Sequence, residues 1–344
     1  MAAGPAHAAV QPISGFAMKV TVLGAGAWGT ALAIHLTGRH EVVLWGRDAE
    51  QLAAMNSTRT NRRYLPGFAL PEALQMSHEL SSSLRHAELV IAAVPTGALR
   101  ALLERLRGCE APLLWLCKGF EVGTAMLPHQ VAAEELSPQS LRGALSGPSF
   151  AQEIARGLPA ALTLAAADLE FARATALQLH SPRLRIYSSD DLIGVEIAGA
   201  LKNVMAIAAG ICDGLNLGLN ARAALITRGL AELTRLGLRL GGRAETFMGL
   251  AGVGDLILTC TGELSRNRAV GLKLAQGQPL DNVLQGLGHV AEGVPAAPEV
   301  MRLGAAHGIE MPITHSVCRV LNGEIAPQAA VLELLSRDPK SEHR

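Results

Sequence analysis

The stretch that decides the fold lies near the amino terminus, where residues 19–36 read KVTVLGAGAWGTALAIHL. Residues 19–23 are rich in β-branched and aliphatic side chains, a pattern typical of a buried strand. Three closely spaced glycines follow, and residues 30–36 are mostly apolar at helical spacing. This order predicts a strand, a tight turn and a helix, which together begin a βαβ unit.

The glycines of this stretch have the spacing GxGxxG of a dinucleotide-binding turn. In such a turn Gly24 permits the sharp change of direction, Gly26 lets a pyrophosphate approach the backbone, and Gly29 allows close packing of helix on strand. The amino terminus of the following helix supplies partial positive charge to the phosphates. A purely structural glycine turn is the alternative, but the flanking strand and helix favour dinucleotide binding.

The rest of the chain divides into two kinds of sequence. Further strands are predicted at residues 41–45, 89–94 and 113–116, separated by helical stretches, so we expect a parallel, doubly wound sheet. After about residue 190 the chain is Ala-, Leu- and Gly-rich at helical period. We therefore predict an α/β protein: a flexible tail over 1–17, a Rossmann-type dinucleotide-binding domain over 18–190, and an all-helical substrate-binding domain over 191–338.

Composition excludes several classes of protein. A chain of 344 residues fits two domains, and 49% hydrophobic with 17% charged residues exclude intrinsic disorder. Lys plus Arg equals Asp plus Glu at 30 each, so the net charge gives no reason to bind nucleic acid or an anionic membrane. Five cysteines without a CxxC pair predict a reduced, intracellular protein without a Cys-rich zinc site.

Two segments bear on targeting and membranes. The first 17 residues contain no Lys or Arg and no long apolar run, so they predict neither a secretory signal nor a transit peptide. Met18 is therefore a candidate for the native start. The most apolar stretch, 192–212, contains Glu196 and Lys202, and these charges argue against a membrane span. We expect no integral membrane contact.

The end of the second predicted strand bears on cofactor choice, because it reads Trp45-Gly46-Arg47-Asp48. An acidic residue here usually binds the ribose 2′-hydroxyl of NAD, whereas an arginine accommodates the 2′-phosphate of NADP. Arg47 favours NADP as the preferred cofactor, and the adjacent Asp48 leaves NAD open. A solvated surface arginine is the alternative interpretation of Arg47.

Two of the five lysines, Lys118 and Lys202, lie among small or apolar residues in a chain with 25 arginines. Because such a chain meets its surface need for cations with arginine, a lysine in an apolar segment is favoured for its titratable ammonium group. Lys118 follows a predicted strand at the sheet edge where ligands bind. Lys202 has no partner within one helical turn, so we expect a partner from elsewhere or a pKa lowered by burial. A lysine that extends along a helix edge into solvent is the alternative.

Two later motifs are candidates for the rest of a site. Asp255 stands directly after the glycine-rich turn at 252–254. Ser265, Arg266 and Asn267 stand at a predicted helix start, where Ser265 is a candidate N-cap and Arg266 a candidate phosphate ligand. A solvated helix start is the alternative. The eleven histidines show no HExxH or similar spacing, so no metal site is predicted.

In order, the chain reads GAGAWGTALA, VVLWGRD, AVPT, CKGF, SGPSFAQEIA, EIAGALKNVMAIAAGICDGL, ARAALITRGLAEL, GLAGVGDLILTCTGELSRNRAVG and VAEG. This series closely resembles bacterial NAD(P)-dependent glycerol-3-phosphate dehydrogenases over nearly the whole chain from Met18 to about Leu335. The resemblance implies reversible reduction of dihydroxyacetone phosphate to sn-glycerol 3-phosphate, a precursor of membrane phospholipids, in the cytoplasm.

The resemblance also implies roles for individual residues. Lys202 would be the catalytic acid and base, with Lys118 and Asp255 beside it. The implied substrate-binding residues are Lys118, Gly147, Ser149, Lys202, Asp255, Ser265, Arg266 and Asn267. The implied cofactor-binding residues are Gly24, Gly26, Ala27, Trp28, Gly29, Arg47, Lys118, Ala151, Arg266, Val290 and Glu292.

The chain departs from the family pattern at Ser149, where threonine is more usual, and in its 17-residue tail, which has no counterpart. Two other functions stay open: another two-domain NADP-dependent reductase of ketopantoate or 6-phosphogluconate type, and a dinucleotide-binding protein without catalysis. The apolar helical part further leads us to expect a homodimer.

Overall fold

The computed structural model describes residues 17–288 and 290–336, so the predicted tail lies outside the described residues except for Ala17. The strands are β1 Lys19–Leu23, β2 Glu41–Trp45, β3 Thr60–Asn61, β4 Leu65–Ala69, β5 Gln75–Ser77, β6 Leu89–Ala92, β7 Leu113–Trp115, β8 Arg142–Ser146, β9 Ala160–Ala166 and β10 Leu184–Ser189.

The helices between and beside these strands are α1 Ala27–Thr37, α2 Ala49–Thr58, α3 Leu80–Leu84, α4 Leu99–Arg105, α5 Pro128–Glu135, α6 Ala151–Ala155 and α7 Leu169–Leu179. Those after the last strand are α8 Leu192–Gly214, α9 Gly218–Arg239, α10 Ala244–Phe247, α11 Asp255–Thr261, α12 Arg266–Ala275, α13 Leu280–Leu287, α14 Gly293–Ala306, α15 Pro312–Leu321 and α16 Pro327–Leu335. The predicted fold class, a Rossmann-type sheet followed by helices, is therefore confirmed.

Eight strands form one sheet in the order β10-β9-β8-β7-β6-β1-β2-β5, and β3 and β4 form a separate antiparallel pair. The expectation of a wholly parallel sheet is wrong at one place, because β8 and β9 pair antiparallel. The connection between them contains only the five-residue helix α6 and turns the chain back beside β8, whereas a parallel crossover usually requires a longer helix. The other pairs within the large sheet are parallel.

The glycine turn between β1 and α1 is packed against the neighbouring strand. Gly24 has a positive φ of 126°, and a Cβ there would lie 2.4 Å from the carbonyl oxygen of Ala93. A Cβ on Gly29 would lie 2.0 Å from the carbonyl oxygen of Gly24. Glycine is therefore required at both positions, as the turn chemistry predicts.

The helical part is built around α8, whose residues are almost all buried. By length and composition α8 is apolar enough to cross a membrane, but 94% of its most apolar window is buried inside the protein. Helices α9, α11, α12, α14 and α15 pack against it, and β8 and α5 of the sheet-containing part contact it as well. This helix is thus the shared core element that joins the two parts of the molecule.

Candidate active site

Three charged side chains from distant parts of the sequence meet at the carboxyl end of the sheet. Lys118 Nζ lies 2.6 Å from Asp255 Oδ2, and Lys202 Nζ lies 3.0 Å from Asp255 Oδ1. The three side chains are only 13%, 7% and 2% exposed for Lys118, Lys202 and Asp255. One buried carboxylate therefore bridges two ammonium groups, and we refer to these three residues as the charge cluster.

The position of Asp255 follows from the glycine-rich turn before it. Residues 250–254 form a single π-helical turn, in which Gly252 has a non-helical backbone. A Cβ on Gly252 would lie 2.0 Å from the carbonyl oxygen of Phe247, so the chain folds back tightly on itself here. The turn ends at Asp255, which becomes the first residue of α11 and projects its carboxylate toward α8. Turns of this kind are frequent at functional sites.

Burial and mutual attraction set the protonation of the charge cluster. Burial lowers the pKa of Lys202 to about 8, with Lys118 lowering it further and Asp255 opposing the shift. Burial alone would raise the pKa of Asp255, but the two ammonium groups outweigh it and hold that pKa below its usual range. Asp255 is therefore ionised at neutral pH, whereas Lys202 exchanges its proton in the physiological range.

Thr259 completes the surroundings of Lys202. It lies one turn after Asp255 on α11 and accepts a 2.7 Å hydrogen bond from Lys202 Nζ. Its hydroxyl in turn donates to the carbonyl oxygen of Asp255 at 2.6 Å. Both expectations for Lys202 are thus met, since its partners come from another helix and its pKa is lowered by burial.

The turn after β8 lies beside Lys118. Lys118 Nζ donates to the carbonyl oxygen of Gly147 at 3.1 Å, and Ser149 Oγ donates to the same oxygen at 2.9 Å. Gly147 has a positive φ of 133°, which brings this carbonyl to the ammonium group and favours glycine. Gly147, Ser149 and the charge cluster therefore form one continuous polar surface.

The start of α12 contributes a second polar region. Ser265 Oγ accepts a hydrogen bond from the backbone N–H of Arg268 at 3.2 Å, so Ser265 is the N-cap that the sequence predicts. Arg266, the first residue of the helix, is exposed, and Glu292 attracts its guanidinium. Arg268 is held instead by Asp213, at 2.7–2.8 Å. Of the two arginines in this motif, Arg266 is the one that faces solvent.

Four hydrogen bonds connect the starts of α12 and α14 with α8 and the backbone of Lys118. Together with the peptide bond between Glu292 and Gly293 they form a closed ring, which we call the amide ring. Gly293 N–H donates to Asn267 Oδ1 at 2.9 Å, and Asn267 Nδ2 donates to Asn203 Oδ1 at 2.9 Å. Asn203 Nδ2 donates to the carbonyl oxygen of Lys118 at 3.1 Å, and Lys118 N–H donates to Glu292 Oε2 at 3.4 Å. Both sides of residue 118 are therefore held by α8, α12 and α14.

The candidate dinucleotide site lies at the amino terminus of α1. Gly26 is the N-cap of this helix, no side chain caps it, and its first turn contains no acidic residue. A Cβ added to Gly26 would meet no protein atom within 4 Å, in contrast to Gly24 and Gly29. Open space in front of unpaired helical N–H groups fits a pyrophosphate. Residues of this chain therefore fit a dinucleotide.

The remaining residues implied for the cofactor lie around this helix end. Ala27 and Trp28 begin α1, and Ala151 begins α6, which packs against α1. Arg47 is exposed just after β2. Asp48 caps α2, because its Oδ1 accepts from Gln51 N–H at 3.0 Å, and its Oδ2 accepts from Arg63 at 3.5 Å, so this carboxylate is engaged within the protein.

The last two implied cofactor residues lie at the start of α14. Val290 is 48% exposed. Glu292 accepts from Thr96 N–H at 3.0 Å in addition to its bond from Lys118 N–H. Burial raises the pKa of Glu292 against the effect of these donors. Glu292 thus links α14 to the loops that follow β6 and β7.

Both halves of the chain match one protein family. Residues 19–172 match the amino-terminal part, and residues 191–332 the carboxyl-terminal part, of NAD-dependent glycerol-3-phosphate dehydrogenase. The chain belongs to the NAD-dependent glycerol-3-phosphate dehydrogenase family. This membership decides against the ketopantoate and 6-phosphogluconate types of reductase.

Individual members of the family agree along nearly the whole chain. The chain is 57% identical over 327 residues to glycerol-3-phosphate dehydrogenase [NAD(P)+] of Dechloromonas aromatica, covering 94% of this chain and 99% of the relative. It is 59% identical over 327 residues to the enzyme of that name from Thiobacillus denitrificans, covering 94% and 100%. A crystal structure of glycerol-3-phosphate dehydrogenase from Coxiella burnetii is similar with a TM-score of 0.89 and 42% identity, covering 94% of this chain and 100% of that one.

Three polar residues of this glycerol-3-phosphate dehydrogenase family member were missed by sequence reasoning. Thr259 is four residues after Asp255, a helical spacing that was available as a signal. Asn203 adjoins Lys202, but nothing in the sequence indicates that its amide reaches Lys118. Thr96 contacts Glu292 across 196 positions of sequence, and no local pattern predicts such a contact.

Proposed function

We propose that the chain catalyses the NAD(P)H-dependent, reversible reduction of dihydroxyacetone phosphate to sn-glycerol 3-phosphate. The observation that carries this proposal is the charge cluster, in which a lysine with a pKa of about 8 lies beside a second lysine and a shared carboxylate. Reduction of a ketone requires a proton donor at the carbonyl oxygen, and a group that titrates near neutral pH suits that task.

In this proposal the proton comes from Lys202. As the carbonyl carbon accepts hydride, the carbonyl oxygen takes a proton from the Lys202 ammonium and becomes the new hydroxyl group, leaving a neutral amine. In the reverse direction the neutral amine removes that proton from glycerol 3-phosphate. Asp255 and Thr259 hold the Lys202 Nζ in place through bonds of 3.0 and 2.7 Å, and Lys118 adds a second positive charge where the oxygen becomes negative.

The second substrate, the nicotinamide dinucleotide, is proposed to bind at the residues around the glycine turn. When bound, NADPH or NADH supplies the hydride. The glycine turn and the first N–H groups of α1 would hold the pyrophosphate, with Ala27, Trp28 and Ala151 beside it. Arg47 would accept the 2′-phosphate of NADP, which is why NADP is proposed as the preferred cofactor and NAD as the second. Lys118, Arg266, Val290 and Glu292 are proposed to contact the nicotinamide half.

The phosphate of the substrate is proposed to bind at the start of α12. Arg266 is exposed there, and the helix amino terminus adds partial positive charge. Ser265 and Asn267 complete this proposed phosphate site, and Gly147 and Ser149 border the substrate on the side of Lys118. In this proposal the phosphate of the substrate contacts Arg266 and its carbonyl group lies at the charge cluster.

We further propose that the enzyme acts in the cytoplasm as a homodimer and supplies the glycerol phosphate backbone of phospholipids. All five cysteines are free, which is consistent with a reducing compartment. Large apolar side chains such as Leu219 and Leu332 are exposed on the helical part and are candidates for a dimer contact.

The test is the initial rate of dihydroxyacetone phosphate reduction by the purified protein, with NADPH and NADH compared side by side. We expect turnover with both and a higher kcat/KM with NADPH. Arg266→Ala should raise KM for dihydroxyacetone phosphate, while Arg173→Ala, an exposed arginine on α7, should not. Cofactor binding without turnover would favour the alternative of a dinucleotide-binding protein without catalysis.

A further inference from the structure

Outside the charge cluster, α8 carries a second buried charge, Glu196, for which the proposed reaction has no role. The Glu196 side chain is 2% exposed. Its Oε1 accepts from Trp115 Nε1 at 2.8 Å and from the backbone N–H of His129 at 3.0 Å, and its Oε2 contacts His129 Nδ1. Burial of a carboxylate is costly unless hydrogen-bond donors compensate it, and here burial raises the pKa of Glu196 while His129 and Trp115 oppose that shift.

These contacts join three elements from both parts of the molecule. Trp115 ends β7, three residues before Lys118, and its ring is fully buried. His129 lies in the first turn of α5, where a negative charge is favourable because helical N–H groups point toward it. Glu196 therefore ties β7 and α5 of the sheet-containing part to the central helix of the helical part.

The segment after β7 continues along the same face of α8. Glu196, Gly199 and Asn203 are three and four residues apart, so they share one helical face. A Cβ on Gly199 would lie 3.3 Å from Lys118 Cγ, and Asn203 Nδ2 donates to the Lys118 carbonyl oxygen at 3.1 Å. Residues 115–118 are thus fixed to this face at one end by Glu196 and at the other by Gly199 and Asn203.

We propose that Glu196 is a positioning residue for the reduction: through Trp115 and His129 it sets the register of residues 115–118 on α8, and so the placement of Lys118 relative to Lys202 and Asp255. This inference rests on the proposed function, because it matters only if the two lysines act in the reaction. Glu196 itself touches neither the charge cluster nor the dinucleotide turn in the bonds described above.

The electrostatic surroundings allow a readout specific to this role. The charged and titratable groups that face Lys202 are Lys118, Asp255 and the thiol of Cys260, and those that face Glu196 are His129 and the thiol of Cys117. Lys118 lowers the pKa of Lys202, whereas Asp255 raises it. If Lys118 moves away, the first effect weakens and Asp255 acts on Lys202 alone, so the pKa of Lys202 rises.

The experiment compares Glu196→Ala with Glu232→Ala in the full-length enzyme. Glu232 is a matched control, because it is also a buried carboxylate and accepts bonds from Ile313 N–H, Thr314 N–H and Thr314 Oγ1. We expect both variants to lower Tm. Only Glu196→Ala should lower kcat, by roughly 10- to 100-fold, with KM for dihydroxyacetone phosphate changed less than about threefold, because the reacting groups are misplaced while the phosphate site is intact.

The pH profile of reduction separates positioning from simple loss of stability. In Glu196→Ala the decline in kcat/KM at high pH should move to higher pH, because Lys202 then keeps its proton longer. Glu196→Gln should recover most of the turnover, since its amide oxygen keeps an acceptor for Trp115 Nε1 and for the backbone N–H of His129. If Glu196→Ala fails to fold, Trp115→Phe, which removes one donor to Glu196, should show the same shift to a smaller extent.

The outcomes distinguish this inference from the function beneath it when Lys202→Ala is measured in parallel. Loss of turnover in Lys202→Ala, together with an unchanged kcat and pH profile in Glu196→Ala and Trp115→Phe, overturns the positioning role alone. If the pH profile of kcat/KM shifts equally in Glu196→Ala and Glu232→Ala, the positioning role is also overturned. Normal turnover in Lys202→Ala overturns the proposed catalytic function, and the positioning role with it.

Discussion

The dinucleotide turn and the charge cluster lie at the same edge of the sheet but are built in opposite ways. The turn is made by backbone: three glycines within six residues bring helical N–H groups to an open space. The cluster is made by side chains whose positions in the chain are 137 apart for Lys118 and Asp255. The turn depends on glycines, which have no Cβ. The cluster depends on charged side chains that the tertiary fold brings together.

This difference explains how each site responds to substitution. In the turn, Gly24 and Gly29 are needed for the fold, whereas an added Cβ at Gly26 would meet no protein atom, so we propose that only a ligand requires glycine there. In the cluster, Asp255 raises the pKa of Lys202 and Lys118 lowers it, while both ammonium groups lower the pKa of Asp255, so removal of one charge changes the protonation of the groups that remain. In the glycine turn, a substitution can therefore affect binding without affecting the fold. In the charge cluster, a substitution at one residue also changes the other two.

The largest expected effect is that of Lys202→Ala. Removal of the proposed proton donor should lower kcat by roughly 10²- to 10⁴-fold while leaving NADPH affinity nearly unchanged. Stopped-flow or steady-state rates give kcat, and fluorescence titration gives the NADPH Kd. Lys19→Ala, at an exposed lysine on β1, is the control and should behave as the parent enzyme. A Lys202→Ala enzyme with normal turnover would remove this residue from the mechanism.

Asp255→Asn should come next, because it keeps the shape of the cluster and removes its negative charge. Since Asp255 raises the pKa of Lys202, the substitution should bring that pKa below about 8 and lower turnover in the reduction roughly 10- to 100-fold. The fall in kcat/KM for reduction at high pH should therefore begin at lower pH. Oxidation of glycerol 3-phosphate needs the neutral amine, so its rise should also begin at lower pH. Profiles that stay in place would contradict the assigned coupling.

Gly26→Ala tests the backbone site without disturbing the fold. The added methyl group meets no protein atom, so Tm should stay the same, but it enters the space proposed for the pyrophosphate and should weaken dinucleotide binding roughly tenfold. Gly38→Ala is the control at the other end of α1, where a Cβ has an ordinary contact at 3.7 Å. Gly29→Ala should instead lower Tm, because its Cβ collides with the carbonyl of Gly24. Equal affinities of the Gly26→Ala and parent enzymes would place the pyrophosphate elsewhere.

The smallest effect is expected from Arg47→Ser. Arg47 is exposed, and an exposed charge pair contributes little, so the ratio of kcat/KM for NADPH to that for NADH should fall only about three- to tenfold. The effect should shrink as ionic strength rises. Arg173→Ser, on α7, should leave the ratio unchanged. An unaltered ratio in Arg47→Ser would mean that this arginine is an ordinary solvated surface group.

Sequence reasoning reached the parts of this molecule that local chemistry determines. The turn at Gly24, the N-cap at Ser265 and the long helix that carries Lys202 all follow from patterns within a few residues. Strands β8, β9 and β10 were not predicted, and the antiparallel direction of β9 relative to β8 depends on the length and path of their connection rather than on the strand itself. The bonds of Asn203 and Glu196 were missed because their partners are brought near only by the tertiary fold.

The amide ring has a consequence for the order in which the enzyme becomes competent. Its members are residues 118, 203, 267 and 292–293, and the bond that closes it joins Lys118 to Glu292, 174 positions apart in the sequence. During synthesis the glycine turn is available as soon as the first strands and helix emerge, but the peptide that carries Lys118 gains its final support only after α14 has left the ribosome. A nascent chain that ends before Glu292 therefore has the glycine turn but lacks the hydrogen bond that supports the Lys118 N–H from α14.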